Sequence, residues 1–269
     1  MIKNQEVLFN AHGWRIPNEH YETFSNSPKW FFKLGDSIPN HSSILNRLDK
    51  FSPIHKKDLL NNGFLKLENE LKSNNTIKNL DKGAKIPFVI NKISIENIGQ
   101  FLEKNLFNLI SKSFNDIYPE SHFKAVIQDK TFLTGKLFPS PNTGYSTFLE
   151  KLSQSDICGY YYPQALQEYS VTSQINQMKD LKNITNLCLS GPIEVAYSMI
   201  GAPNLLINKT HYSPVLCLSG ASHIDERLIC CFKSYGPHLE FWCLSQMLTF
   251  GKKQCSEQWS GGFTFYTDY

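Results

Sequence analysis

The densest group of side chains able to do chemistry lies in Ser219-Gly220-Ala221-Ser222-His223-Ile224-Asp225-Glu226-Arg227, where hydroxyl, imidazole, carboxylate and guanidinium follow closely on one another. Loops carried on rigid elements are where binding and catalytic groups concentrate, because a loop can vary while its supports stay fixed. His223 and Asp225 are therefore candidate catalytic groups, and Ser222 and Arg227 candidate ligand contacts. The same stretch also reads as an ordinary solvated turn in which Asp225 and Arg227 form a surface ion pair of little value.

A second candidate is the thiol of Cys243, with Trp242 beside it as a ligand contact. A reactive cysteine needs an imidazole close enough to hold its thiolate, and His238 and His211 are the histidines to consider. If His238–Ser245 is a strand, Leu239, Phe241 and Cys243 share one face, while His238, Glu240, Trp242 and Leu244 share the other. A Cys–His pair on that one strand is then disfavoured, and the stronger reading of Cys243 is a buried, inert thiol. His12 and His20, near Trp14, Glu19 and Glu22, match no ligand spacing.

Common signatures are absent. There is no Gly-x-x-x-x-Gly-Lys-Ser/Thr, Gly-x-Gly-x-x-Gly, Gly-x-Ser-x-Gly or His-Glu-x-x-His, so the familiar nucleotide, hydrolase and zincin classes are disfavoured. No Cys-x-x-Cys occurs, no metal is implied, and no cofactor can be named. All seven cysteines lie from Cys158 onward, and an odd number argues against a complete disulfide framework. Free thiols in a reducing compartment behave as small buried hydrophobes. If Cys230-Cys231 lies in a strand, its two thiols point to opposite faces.

The chain of 269 residues is 41% hydrophobic and only 19% charged, which suits a folded core rather than a disordered tail. The net charge of +3 is small, and the nearest basic cluster, Lys78, Lys82, Lys85 and Lys92, is scattered, so nucleic acid is an unlikely partner. No apolar run is long enough to span a membrane, and Met1–Arg15 lacks the apolar block of a signal peptide. The expected compartment is the cytoplasm, where the sequons at Asn183 and Asn208 have no meaning.

Several elements must position these groups. Residues 1–50 are rich in rings (Phe9, Trp14, Trp30, Phe31, Phe32) without periodicity, which predicts an irregular aromatic arm. A helix follows from Ser52 as cap and Pro53 in its first turn, burying Leu60, Phe64, Leu67 and Leu71, with Gly63 weakening its middle. The polar stretch 73–85 reads as a linker or long loop and admits a boundary within an otherwise single domain, 51–269. Ile86–Ile90 reads as a strand, and Ser94 as the cap of a helix through Leu109. Phe123–Phe138 reads as a hairpin or meander, and 139–144 as a loop.

Ser190 then caps a second, amphipathic helix through Ile200. The last third is strand-like: Ser213–Ser219, Arg227–Ser234 and His238–Ser245, the last two joined by Tyr235-Gly236-Pro237. The expected fold is α+β, with a mixed or mainly antiparallel sheet, packed helices and an irregular amino-terminal arm.

The words Gly83-Ala84-Lys85-Ile86-Pro87-Phe88-Val89, Gly191-Pro192-Ile193-Glu194 and Gly236-Pro237-His238-Leu239, running on to Trp242-Cys243 and Cys255, resemble an uncharacterised bacterial family known as a domain of unknown function. The resemblance covers about residues 55–260. Leu244-Ser245-Gln246-Met247 departs from the Asn-Pro-His-like stretch that the family has there. The resemblance implies no activity and directs attention to Trp242, Cys243 and Cys255.

Two functions follow as expectations. The first is a small-molecule enzyme or ligand-binding protein with a pocket beside the carboxy-terminal strands. The second is a non-catalytic module that presents its aromatic arm to a protein partner; rings left exposed there would favour it, and rings buried on the main body would not.

Overall fold

The computed structural model describes residues 7–17, 31–127, 132–245 and 256–269. Its strands are β1 (Ile86–Ile90), β2 (Phe123–Val126), β3 (Leu137–Pro139), β4 (Ile157–Gln167), β5 (Leu187–Leu189), β6 (Val215–Cys217), β7 (Ala221–His223), β8 (Leu228–Tyr235), β9 (His238–Ser245) and β10 (Trp259–Asp268). Its helices are α1 (His41–Phe51), α2 (Lys57–Ser73), α3 (Ile98–Phe101), α4 (Phe107–Ile117), α5 (Tyr145–Gln154), α6 (Val171–Leu181) and α7 (Pro192–Gly201), with a π-helical turn joining α3 to α4.

The strands β1-β4-β10-β6-β8-β9-β2 form one sheet in that order, and β5 lies beside the second half of β10. Pairing is antiparallel except between β10 and β6 and between β2 and β9, so the fold is α+β with a mixed, mostly antiparallel sheet. β4 and β10 are buried along almost their whole length because both faces of the sheet are covered. On β4, the Tyr160 hydroxyl meets Glu68 of α2 at 3.2 Å, and the next residue, Tyr161, faces Glu194 of α7. Rings fill the interface, and each fully buried one, such as Phe263 or Phe265, contributes roughly 1.5–3 kcal/mol. Gly262 is required there: a Cβ would come within 2.4 Å of the Tyr161 ring and 2.8 Å of the Tyr162 carbonyl.

The structure moves several expected boundaries. Residues 41–51, expected to be irregular, form α1, capped by the Asn40 side chain, which accepts from the Ser43 N–H at 2.9 Å. Ser52 ends α1 rather than starting α2, which begins at Lys57 and runs unbroken through Gly63 with Leu60, Phe64, Leu67 and Leu71 buried as expected. Residues 78–82, within the stretch read as linker, form a short 3-10 helix with Leu80 buried in the main core. The helix expected from Ser94 starts at Ile98, capped by Asn97.

β2 and β3 do not form a hairpin: β2 pairs with β9 and β3 with β7, partners far along the chain. α7 is not amphipathic, since every one of its residues is buried, and its cap is Gly191 with Glu194 reaching back to the Gly191 N–H at 2.6 Å.

Glu194 is fully buried. Burial lifts its carboxyl to about 7, partly offset by the Gly191 N–H and by the Thr264 hydroxyl, which donates at 3.0 Å. A carboxyl raised in the folded state stabilises the fold fully below its unfolded value near 4.5, and that contribution is lost as pH rises through about 7. Replacing Glu194 by Gln keeps the acceptor oxygen but removes the titration. Across pH 4.5–7 the stability of the wild type, measured by denaturant midpoint relative to E194Q, is expected to fall by an amount on the order of 3 kcal/mol.

Candidate functional site

The loop singled out by its chemistry is more ordered than a turn. β7 occupies its middle and pairs with β3, bringing the Ser222 and Ser140 hydroxyls to 2.6 Å. His223 accepts the Asp225 N–H on Nδ1 at 2.9 Å, and burial lowers its pKa below the ordinary imidazole value, which favours the neutral ring with its proton on Nε2. Asp225 and Arg227 grip one another through two bonds of 2.9 and 2.7 Å at the surface. The Arg227 side chain holds the carboxyl near 2. Their charges cancel each other, as in the surface ion pair of a solvated turn.

A cavity of about 320 Å³ separates this loop from α6, with Ser222, His223 and Glu226 on its wall. Ser222 and His223 therefore meet at one hollow. Cys243 and Trp242 lie elsewhere. Cys243 is buried in the main core opposite Cys230, whose thiol is its hydrogen-bond partner. Trp242 faces the other side of β9, where its indole N–H donates to Glu240 at 2.5 Å and the Lys233 ammonium sits 3.9 Å from its ring centre. His238, at the far end of β9, stacks on His122 at 3.9 Å.

The aromatic arm divides. Phe9 is buried against Phe263 at 5.7 Å, and the Arg15 side chain, also buried, reaches Asp180 of α6 at 2.6 Å. Trp14 is half-buried beside His12, whereas Phe31 is exposed and packs on exposed Tyr212 at 5.7 Å. His20, Glu19, Glu22, Trp30 and Cys255 lie outside the described residues.

A larger hollow, about 780 Å³, opens between α5 and α6 and is floored by Leu187 of β5 and Tyr266 of β10. Protein interiors are normally close-packed, and a space of this size falls within the roughly 300–1,000 Å³ of small-molecule sites. The spacing of its lining residues explains it. Thr147 and Lys151 are four apart on α5, and Ile175, Lys179 and Lys182 recur at helical intervals through α6 and its last turn, so each set shares a face turned to the gap. Lys151 is half-buried, bonded to the Asn186 side chain at 2.5 Å and 5.5 Å from the centre of the Tyr266 ring.

Among the described residues the wall carries Lys151, Lys179 and Lys182 and no carboxylate. The hollow thus combines positive charge with an apolar, partly aromatic floor. The 320 Å³ cavity adjoins it, since Pro141 and Ile175 line both. Sequence reasoning passed over the three lysines because no two of them are neighbours in sequence; the only signal was their periodicity on two helices. Among the described residues, no group of three His, Cys, Asp or Glu side chains is placed to hold a metal and no helix is long and apolar enough to cross a membrane.

Gly144, at the mouth of the hollow, has φ +76°, and a Cβ there would lie 2.9 Å from the Leu187 carbonyl. Gly144→Ala is expected to lower stability by about 1–3 kcal/mol. Lys182→Met, on an exposed position, should stay within about 0.5 kcal/mol of wild type by the same denaturant-midpoint measurement. No family model, curated protein or solved structure matches the chain.

Proposed function

We propose that this protein binds a small anionic molecule with a flat apolar body in the hollow between α5 and α6. The observation that carries the reading is a 780 Å³ space bearing Lys151 and Lys182, with no carboxylate on its described wall, above an aromatic floor. An anion held there meets the half-buried Lys151 ammonium, where two unit charges 4 Å apart attract by roughly 4 kcal/mol rather than the ~1 kcal/mol of bulk water, and the exposed ammonium of Lys182 at the rim. Leu187 and Tyr266 offer surface for rings or chains to displace water. The adjoining cavity with Ser222 and His223 gives the far end of such a molecule hydroxyl and imidazole partners, which leaves room for an enzymatic role.

Six buried free thiols suit a reducing compartment, and we assign the chain to the cytoplasm on that ground. We retain the resemblance to the bacterial family of unknown function as part of this reading; it adds no activity. The exposed Phe31 and Tyr212 rings support a second reading, a protein contact at the end of the amino-terminal arm.

The test uses 8-anilinonaphthalene-1-sulfonate, a sulfonate on aromatic rings, beside the uncharged N-phenyl-1-naphthylamine. Fluorescence titration of the native protein should give saturable one-to-one binding of the anion. Lys151→Met and Lys182→Met should each weaken it about tenfold while leaving the uncharged dye unaffected. Equal losses for both dyes, or none, would remove the lysines from the site.

A further inference from the structure

Four of the seven cysteines stand on three neighbouring strands in a pattern that packing alone does not require. Cys217 of β6 is the register partner of Cys231 of β8, and Cys230 of β8 is the partner of Cys243 of β9. Successive residues of a strand face opposite sides, so the pairs are separated by the sheet: Cys230 and Cys243 belong to the main core, Cys217 and Cys231 to the smaller core beneath α6. By contrast, Cys158 and Cys188 stand opposite Thr267 and Thr264, with no thiol across from them.

The backbone hydrogen bonds fix the kind of pairing. Leu239 donates its N–H to the His122 carbonyl, away from β8, and the alternation along β9 turns the Cys243 N–H the same way. The Cys230 carbonyl accepts from the Leu218 N–H of the chain beyond β6, away from β9. Cys230 and Cys243 are therefore a non-hydrogen-bonded antiparallel pair, the arrangement in which Cα atoms approach to about 4.5 Å and the side chains lie nearest. That separation falls within the roughly 4.4–6.8 Å spanned by disulfides.

We infer that Cys230 and Cys243 are a dithiol site that a peroxide converts to a disulfide. The Cys243 thiolate attacks the peroxide O–O bond, gaining one oxygen as a sulfenic acid while the other leaves as water. The Cys230 sulfur then attacks that sulfur; the S–S bond forms, the S–O bond breaks and a second water departs. Two thiols and one hydrogen peroxide give one disulfide and two waters. The Cys230 thiol, by hydrogen bonding, holds Cys243 below the ordinary thiol value, whereas burial raises Cys231 well above it. All four thiols are buried, and the Cys217–Cys231 pair on the opposite face serves as an internal comparison of the same geometry.

The native full chain is treated with limiting hydrogen peroxide, denatured in an alkylating reagent and mapped by peptide mass spectrometry. Free thiols should fall from seven to five, with a peptide joining Cys230 to Cys243. In Cys230→Ser, a dimedone adduct should appear at Cys243 instead. Should that variant fail to fold, the wild-type map decides alone. The inference is overturned if both thiols are still found alkylated after the peroxide treatment, if Cys217 and Cys231 join first, or if Cys243 oxidises without a crosslink.

Discussion

A buried carboxyl surrounded by neutral donors ties together the parts of this fold that come from distant stretches of sequence. Glu194 takes the Gly191 N–H at the start of α7 and the Thr264 hydroxyl of β10. Ser190 shares the same threonine at 2.8 Å. Tyr145, the first residue of α5, accepts the Ile193 N–H at 3.1 Å on its hydroxyl. One cluster therefore sets where α5 and α7 sit against β10. A polar group without partners in such a place would cost a few kcal/mol, so the bonds specify an arrangement more than they add net stability.

The consequence for the candidate site is direct, because α5 and Tyr266 of β10 form two of its walls. The third wall, α6, is clamped separately. Ser170 caps it, Gln174 donates to the Tyr169 carbonyl at 3.0 Å and accepts from the Ser219 hydroxyl at 2.5 Å, and Arg15 reaches Asp180 near its other end. Val171 and Ile175 pack into the smaller core over β6 and β8, and the helix also lines the two adjoining cavities. The hollow thus lies between helices anchored by different clusters, above Leu187 of β5 and Tyr266 of β10.

Much of the fold was legible where local rules and tertiary context agree. β1, β6, β8, β9 and the buried stripe of α2 follow from alternation, helical spacing and turn residues. β4 and β10, the longest strands, escaped notice because strands covered on both faces lose the alternation that marks a strand. α7 looked amphipathic because Glu194 stands for a polar face in sequence, although in the fold it is an internal cap. The hairpin expected at 123–138 failed for a different reason: each strand was recognisable, but its partner was drawn from more than eighty residues away, which no local pattern encodes.

The candidate site shows the same division on the scale of charges. Asp225 and Arg227 drew attention because opposite charges two residues apart are conspicuous in sequence, yet that proximity lets them satisfy each other in solvent. Lys151 and Lys182 stand thirty-one residues apart and draw none, yet helix spacing turns both toward one hollow whose described wall bears no carboxylate. A charge answered by its neighbour has little left to offer a ligand, while ammonium groups gathered around an apolar space keep a field there that an incoming anion can meet. The proposed binding role thus rests on where like charges converge on a cavity, a quantity set by tertiary structure, rather than on how densely polar residues crowd the sequence.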